Sequence, residues 1–214
     1  MCEGDRVRAS LISRQCYGTG QEGDGLMILP VVKYGTPVLR HKGAPIEQIT
    51  PTIKKLIADM FETMYAYKGI GLAAQQVGLA LQLTVIDVRG VTDRPSSLEL
   101  QGRPADVAGF MPLVLINPEV KPVGKPVAGP EGCLSFPEIF GEITRPDVVD
   151  VNATDQDGKA VEFRCGGLLS RAVQHEVDHL HGILFIDRMS KAAKDELRPE
   201  LDALQAATKV ALKN

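Results

Sequence analysis

Cysteine is scarce in this chain, and long apolar runs are missing from it. The four cysteines among the 214 residues stand at positions 2, 16, 133 and 165 without a CxxC pair, too few to staple a chain of this size with disulfides. No apolar stretch approaches the roughly 20 residues that cross a bilayer. A formal net charge of -3 provides no global basic field. These absences disfavour a disulfide scaffold, a membrane protein and a sequence-specific nucleic-acid binder.

The length of the chain suits one hydrophobic core, so we expect a single domain with extensions at both ends. Residues 1–26 carry glycines and charges without a sustained hydrophobic period, which predicts a flexible N-terminal extension or an upstream start. They also lack the apolar core of a signal peptide, so a cytoplasmic location is the default expectation. The main domain is predicted over 27–190, and a C-terminal helix over 191–214.

The hydrophobic patterns predict an α+β fold. A helix is expected to start at Thr50 and Pro51, because a capping hydroxyl followed by proline is typical of a helix start. Buried strands are expected at 81–88 and 113–116, with a polar surface excursion between them. The other predicted elements are a strand pair at 148–154 and 160–163, a helix over Gly167–Leu180, and a polar final helix over 190–212 interrupted near Pro199.

His175, Glu176 and His179 form an HExxH motif inside one of these predicted helices. At about 100° per residue, positions four apart lie within roughly 40° of one another, so both imidazoles can face one metal ion. Glu176 lies about 100° from His175, beside the ligands, where it can transfer a proton. HExxH occurs by chance in many helices, so its meaning depends on a third ligand.

Several interpretations of the third ligand compete. A metzincin would carry a histidine ten residues after His175, and Phe185 at that position cannot bind a metal. An endopeptidase of the thermolysin type would use a downstream glutamate, for which Glu196 and Glu200 are candidates. Cys133 could instead supply a thiolate from a rigid, strand-like segment between two prolines.

A non-catalytic module with a structural ion is a further alternative. Such a site normally closes its fourth position with a protein ligand, and the sequence has no second cysteine or histidine near Cys133. The sequence therefore disfavours this alternative.

A third segment, 69–76 (GIGLAAQQ), follows the first predicted helix. Taken alone, it indicates a helix stop with small residues for close packing. Together with 131–135 (EGCLS) and 174–179 (QHEVDH) it matches, in order, the motifs GxGLAAxQ, EGCLS and QHExDH. Over about residues 28–189 the sequence therefore resembles the peptide deformylases. The resemblance implies small antiparallel sheets around a central HExxH-bearing helix, followed by a C-terminal helix.

The resemblance also implies an activity, which is hydrolysis of the N-formyl group from the N-terminal formyl-methionine of nascent polypeptides. In that reaction Cys133, His175 and His179 would hold the ion, and Glu176 would move the proton. Gln76 and the backbone N–H of Leu134 would face the developing oxyanion.

Substrate binding is expected at Ile70, Gly71 and Gly132, where the backbone around Gly71 could pair with an extended peptide. The apolar lining that the resemblance implies for the methionine side chain is Ile70, Leu72, Phe136, Leu168 and Ala172. Asp178, Gln174 and Arg145 are the candidates for orienting the ligating imidazoles.

A thiolate beside two imidazoles suits iron, zinc, nickel or cobalt, so the residues alone do not choose one divalent ion. The resemblance favours Fe²⁺, one ion per chain, which predicts an oxygen-sensitive site. The expected partners are formyl-methionyl nascent peptides, with a transient contact to the ribosome where these peptides emerge.

Overall fold

The first long helix, α1, spans Pro51–Ala66 in a computed structural model that describes residues 25–213. The Thr50 hydroxyl accepts a hydrogen bond from the Ile53 N–H, and the proline that follows has no N–H to satisfy. The predicted helix start is confirmed. Of the predicted extension over 1–26, residues 1–24 lie outside the described part of the chain.

Within the described residues, nine strands form two antiparallel sheets. The strands are β1 (Gly71–Ala73), β2 (Leu83–Ile86), β3 (Ser96–Leu100), β4 (Arg103–Pro104), β5 (Leu113–Pro122), β6 (Pro126–Cys133), β7 (Phe136–Pro146), β8 (Val148–Thr154) and β9 (Ala160–Gly166). Seven of them form one sheet in the order β1-β2-β5-β8-β9-β3-β4, whereas β6 and β7 form a separate hairpin. β1 therefore lies at an edge of the large sheet.

The central helix, α3, spans Gly167–Leu180, the range predicted from the sequence. The remaining helices are α2 (Val107–Phe110), α4 (Lys191–Glu196) and α5 (Arg198–Ala211). The final helix divides into α4 and α5 next to Pro199, because proline starts a helix readily but cannot continue one. None of the helices in residues 25–213 combines the length and the apolar character needed to cross a membrane.

Alternating residues of β2 and β5 place the large sheet between α1 and α3. Leu83 and Val85 pack in one core with the apolar face of α1, whereas Ile86 packs in a second core with the apolar face of α3. Successive side chains of a strand point to opposite faces, so both faces of these strands are buried. The result is the expected α+β fold, with α3 between the large sheet and the β6–β7 hairpin.

Part of the polar stretch before β5 belongs to the sheet, so its prediction as a surface excursion was wrong there. β3 pairs with β9, and Leu98 is buried in the core with α3. The Leu168 N–H donates to the Pro95 carbonyl at 3.0 Å, so this stretch also caps the first turn of α3. The single buried Leu98 among polar residues was too weak a signal for a strand.

Candidate metal centre

Cys133, His175 and His179 come together where the end of β6 faces the last two turns of α3. Their ligand atoms all lie within 4.8 Å of one another, and the Cys133 Sγ is 3.3 Å from the His179 Nε2. Two ligands that bind a tetrahedral ion at about 2.0–2.3 Å lie roughly 3.5 Å apart. The spacing and the donor types therefore fit one divalent ion.

Glu131 orients one of the two imidazoles. Its Oε2 lies 3.1 Å from the His175 Nδ1, which leaves the Nε2 of that ring for an ion. Burial alone would raise the pKa of Glu131, but hydrogen bonds from His175 and Arg145 outweigh it and lower the pKa to about 2. Glu131 is therefore a charged acceptor. In the sequence, the only signal for this role of Glu131 is its place in the EGCLS segment, two residues before Cys133.

A chain of buried charges continues behind Glu131. Arg145 donates to Glu131 at 2.6 Å and to Asp178 at 2.8 Å, and Arg188 donates to Asp178 at 2.6 Å. In the part of the chain that the structure describes, Asp178 and Arg145 therefore act on the His175 imidazole only through Glu131. The Gln174 amide donates to the Pro146 carbonyl and to Ser170, so its expected contact with an imidazole is not found in the described structure.

Glu176 lies against the backbone of β1. A Cβ added to Gly71 would stand 2.3 Å from the Glu176 Oε1, so only glycine leaves room for the carboxylate. The Oε2 is buried and has no hydrogen-bond partner in the described structure. Burial is the main reason that the pKa of Glu176 is raised to about 7. A carboxyl with this pKa can both accept and donate a proton near neutral pH.

The Gln76 side chain is held in one orientation. Its Oε1 accepts a hydrogen bond from the Ala73 N–H at 2.7 Å, so the Nε2 must face the other way. The Nε2 lies 3.5 Å from the Cys133 Sγ. An amide donor is therefore aimed into the cluster before any substrate arrives.

A cavity of about 550 Å³ opens onto the cluster. Its lining includes the sequence-predicted residues Ile70, Gly71, Gly132, Phe136, Leu168 and Ala172. Glu176, Gln76 and Leu134 also line it. Leu72 does not, and its prediction as lining was wrong: it is fully buried in the core with α1, because it points to the opposite face of β1 from Gly71.

The rival ligands are not part of the cluster. Glu196, the last residue of α4, and Glu200, in the first turn of α5, are both exposed, and neither belongs to the group that could hold an ion. Within residues 25–213 that group comprises three side chains, so no fourth protein ligand closes the site. An open fourth position is typical of catalytic rather than structural sites.

The fold and this site define a class of protein. A Cys–His–His cluster that can hold a metal ion, next to a buried carboxylate and an open cavity, is the arrangement of a metal-dependent hydrolase. The family model described as polypeptide deformylase matches residues 28–195. The chain belongs to the polypeptide deformylase family, and it is a hydrolase.

Curated relatives and solved structures agree with this assignment. A peptide deformylase of Methylacidiphilum infernorum is 48% identical over 179 residues, which cover 84% of this chain and 94% of the relative. One from Opitutus terrae is 41% identical, with 87% of this chain and 98% of the relative covered. A plant peptide deformylase structure has a TM-score of 0.75 at 36% identity and covers 91% of this chain and 97% of its own. The Synechococcus elongatus enzyme in complex with actinonin has a TM-score of 0.67 at 35% identity and covers 85% of this chain and 88% of its own.

Proposed function

We propose that the chain hydrolyses the N-formyl group of N-terminal formyl-methionine on nascent polypeptides and releases formate. The observation that carries this proposal is the convergence of Glu176 and the Gln76 amide on the Cys–His–His cluster at the wall of one cavity. A formamide needs a nucleophile, a proton carrier and an oxyanion donor, and these groups can supply or support all three.

Cys133, His175 and His179 hold one divalent ion per chain in this proposal. The donor set accepts Fe²⁺, Zn²⁺, Ni²⁺ or Co²⁺, and the resemblance to deformylases favours Fe²⁺. When bound, a divalent ion supplies Lewis acidity, which polarises a carbonyl and lowers the pKa of water to about 7. To test the choice of iron, the metal content of protein purified without oxygen is compared with that of aerobically purified protein.

Glu176 is the proposed proton carrier. It accepts a proton from the attacking water and delivers it to the departing amine nitrogen, so one carboxyl serves both steps. Burial raises its pKa, and its Oε2 has no hydrogen-bond partner among the described residues; both support this role, because no donor must leave this oxygen before it accepts a proton.

Gln76 and the backbone N–H of Leu134 are the proposed oxyanion donors. Negative charge gathers on the formyl oxygen as the carbonyl carbon becomes tetrahedral, and donors that already point there need no reorganisation. The bond from the Ala73 N–H to the Gln76 Oε1 supports this proposal, since it directs the Nε2 toward the cluster.

The cavity and the edge of β1 would bind the substrate. Ile70, Gly132 and the other apolar residues of the cavity offer a surface for the methionine side chain. The outer edge of β1 at Gly71 offers backbone groups that can pair with an extended peptide. Action on nascent chains would place the protein in the cytoplasm, with the ribosome as a transient partner.

The test compares formyl-Met-Ala-Ser with an internal peptide bond under anaerobic conditions, for the wild type and for Glu176→Gln. We expect the wild type to release formate and the variant to lose this activity while it retains the ion. Glu176→Gln keeps the size of the side chain and removes its ability to transfer a proton. A loss of activity in this variant therefore does not arise from altered packing. Cleavage of the internal bond without deformylation would contradict the proposal.

A further inference from the structure

The segment 32–34, which precedes a 3₁₀ turn at Pro37–Arg40, hydrogen-bonds to both chain segments of the proposed oxyanion site. The Val32 N–H donates to the Gln76 carbonyl at 2.9 Å, and the Tyr34 N–H donates to the Ser135 carbonyl at 2.9 Å. The two segments that it joins are far apart in the sequence. Hydrogen bonds to the segment that contains Val32 and Tyr34 therefore help to fix the position of Gln76 relative to Ser135.

Lys33 lies between these two backbone hydrogen bonds. Its Nζ donates to the Leu134 carbonyl at 3.0 Å and lies 5.8 Å from the centre of the Tyr67 ring. The side chain is half-buried and lines the cavity. The ammonium group therefore lies at the cavity wall, on the Leu134 carbonyl.

Two opposing effects act on the pKa of Lys33 at this position. Burial lowers the pKa of Lys33, and the electrostatic influence of the nearby Cys133 opposes that change. A surface lysine would avoid the loss of hydration by extending into water. Lys33 instead stays beside the turn that carries Cys133 and Leu134.

We infer that Lys33 is a positioning residue for deformylation: through the Leu134 carbonyl it fixes the turn that carries the Leu134 N–H relative to Gln76, and it keeps a positive charge where negative charge develops. The inference rests on the proposed function. The backbone bonds from Val32 and Tyr34 hold Gln76 and Ser135, and neither of them reaches the Leu134 carbonyl. Only the Lys33 side chain contacts it among the hydrogen bonds of the described residues.

The inference predicts an effect on kcat rather than on KM. A charge and an alignment that matter mainly as the oxyanion forms stabilise the transition state more than the bound substrate. A lysine on a cavity wall could instead attract the peptide itself, and its loss would then raise KM.

The experiment uses the metal-loaded full chain with three variants. Lys33→Met removes the charge and the donor but keeps the chain length, Lys33→Arg keeps both, and Lys191→Met removes an exposed charge on α4. Loss of a hydrogen bond to a charged group predicts a fall in kcat of about tenfold for Lys33→Met, with KM and bound metal unchanged. Lys33→Arg is expected to recover most of the rate, and Lys191→Met to match the wild type.

A second measurement does not depend on activity. In metal-free protein, the carbonyl ¹³C resonance of Leu134 should move upfield in Lys33→Met and stay near its wild-type position in Lys33→Arg, because only Lys33→Met leaves this carbonyl without a cationic N–H donor. This measurement also covers the case in which a variant loses activity through poor folding.

Three results would overturn the inference: an unchanged kcat in Lys33→Met, a loss found wholly in KM, or equal defects in the Met and Arg variants. A wild-type protein that releases no formate would instead overturn the proposed function. The two failures are therefore distinguishable.

Discussion

The Nδ1 of His175 lies 3.1 Å from the Oε2 of Glu131. Glu131, two residues before the ligand Cys133, therefore orients a second ligand, His175, which lies on α3. Glu131 is in turn bonded to Arg145 and Arg171. The ligand on β6 and the ligands on α3 are thus joined by a buried ionic network as well as by a metal ion, when one is bound.

Glu131→Gln tests this network. It keeps the shape of the side chain but removes its charge, so the affinity for the ion should fall about 10–100-fold, as is typical when a ligating histidine loses its partner. The free energy of unfolding should fall by about 3 kcal/mol, near the low end for a broken buried ion pair. The loss is limited because Arg145 retains its ion pair with Asp178. Chelator competition and denaturant unfolding of metal-free protein measure the two effects. The exposed Glu142→Gln on β7 is the control, and equal affinities in the two variants would contradict the assignment.

Gly71→Ala tests the fit of Glu176 against β1. The new Cβ would lie 2.3 Å from the Glu176 Oε1, so the carboxylate must move. A displacement near 1 Å can cost about 100-fold in rate, and we expect kcat to fall by this order with the ion retained. Gly90→Ala is the matched control, because a Cβ there meets no heavy atom within 4 Å. Wild-type turnover in Gly71→Ala would show that Glu176 is not the proton carrier.

Gln76→Leu tests the oxyanion donor. Turnover should fall about 10²–10³-fold while the ion stays bound, because one preorganised donor is lost. The substitution also leaves the Ala73 N–H without its acceptor, so Gln76→Glu is needed beside it. Glu keeps that acceptor, removes the amide donor and adds a negative charge near Cys133, so its turnover should fall at least as far. Activity retained in Gln76→Glu would mean that the loss in Gln76→Leu arises from the missing acceptor for the Ala73 N–H and not from the missing amide donor.

Alkylation of thiols tests the metal ligand directly. In the ion-loaded protein Cys133 should resist iodoacetamide, and removal of the ion with a chelator should make it react. Cys165 is the internal control, because it is buried and burial raises its pKa to about 12, so it should react in neither state. Peptide mapping by mass spectrometry separates these sites from Cys2 and Cys16. Equal labelling of Cys133 with and without the ion would exclude it as a ligand.

The choice of iron predicts sensitivity to oxygen. A sample loaded with Fe²⁺ should lose activity during aerobic storage, and one loaded with Ni²⁺ should keep it, because only the ferrous ion is readily oxidised beside the thiolate. Residual deformylase activity and the oxidation state of Cys133 are the measurements. A stable aerobic iron form would argue against the proposed ion chemistry.

Local patterns predicted the elements whose periodicity is strong. The bounds of α3 and the start of α1 follow from short-range chemistry, since apolar spacing and a capping Thr50 act within one helix. The order of the three motifs likewise predicts the three ligands, through the resemblance to the deformylases. The structure brings them together at distances that fit one ion.

Long-range pairing decided what the sequence could not. The β6 segment is rich in proline and glycine, so the sequence indicated only a strand-like stretch around Cys133, and the segment becomes a strand because β7 pairs along its whole length. The face of β1 that Leu72 occupies likewise depended on which helix covers the sheet. The contact of Lys33 with Leu134 joins residues 101 positions apart, which no local pattern can predict.

The place of β1 at the edge of the large sheet also bears on how many substrates one protein can process. A peptide that pairs with this edge would be bound through its main chain, which is the same in every polypeptide whatever side chains follow the first residue. Discrimination would then fall on the formyl-methionine end alone. Recognition of this kind suits an enzyme whose substrates share only their formyl-methionine end and differ in the sequence that follows it.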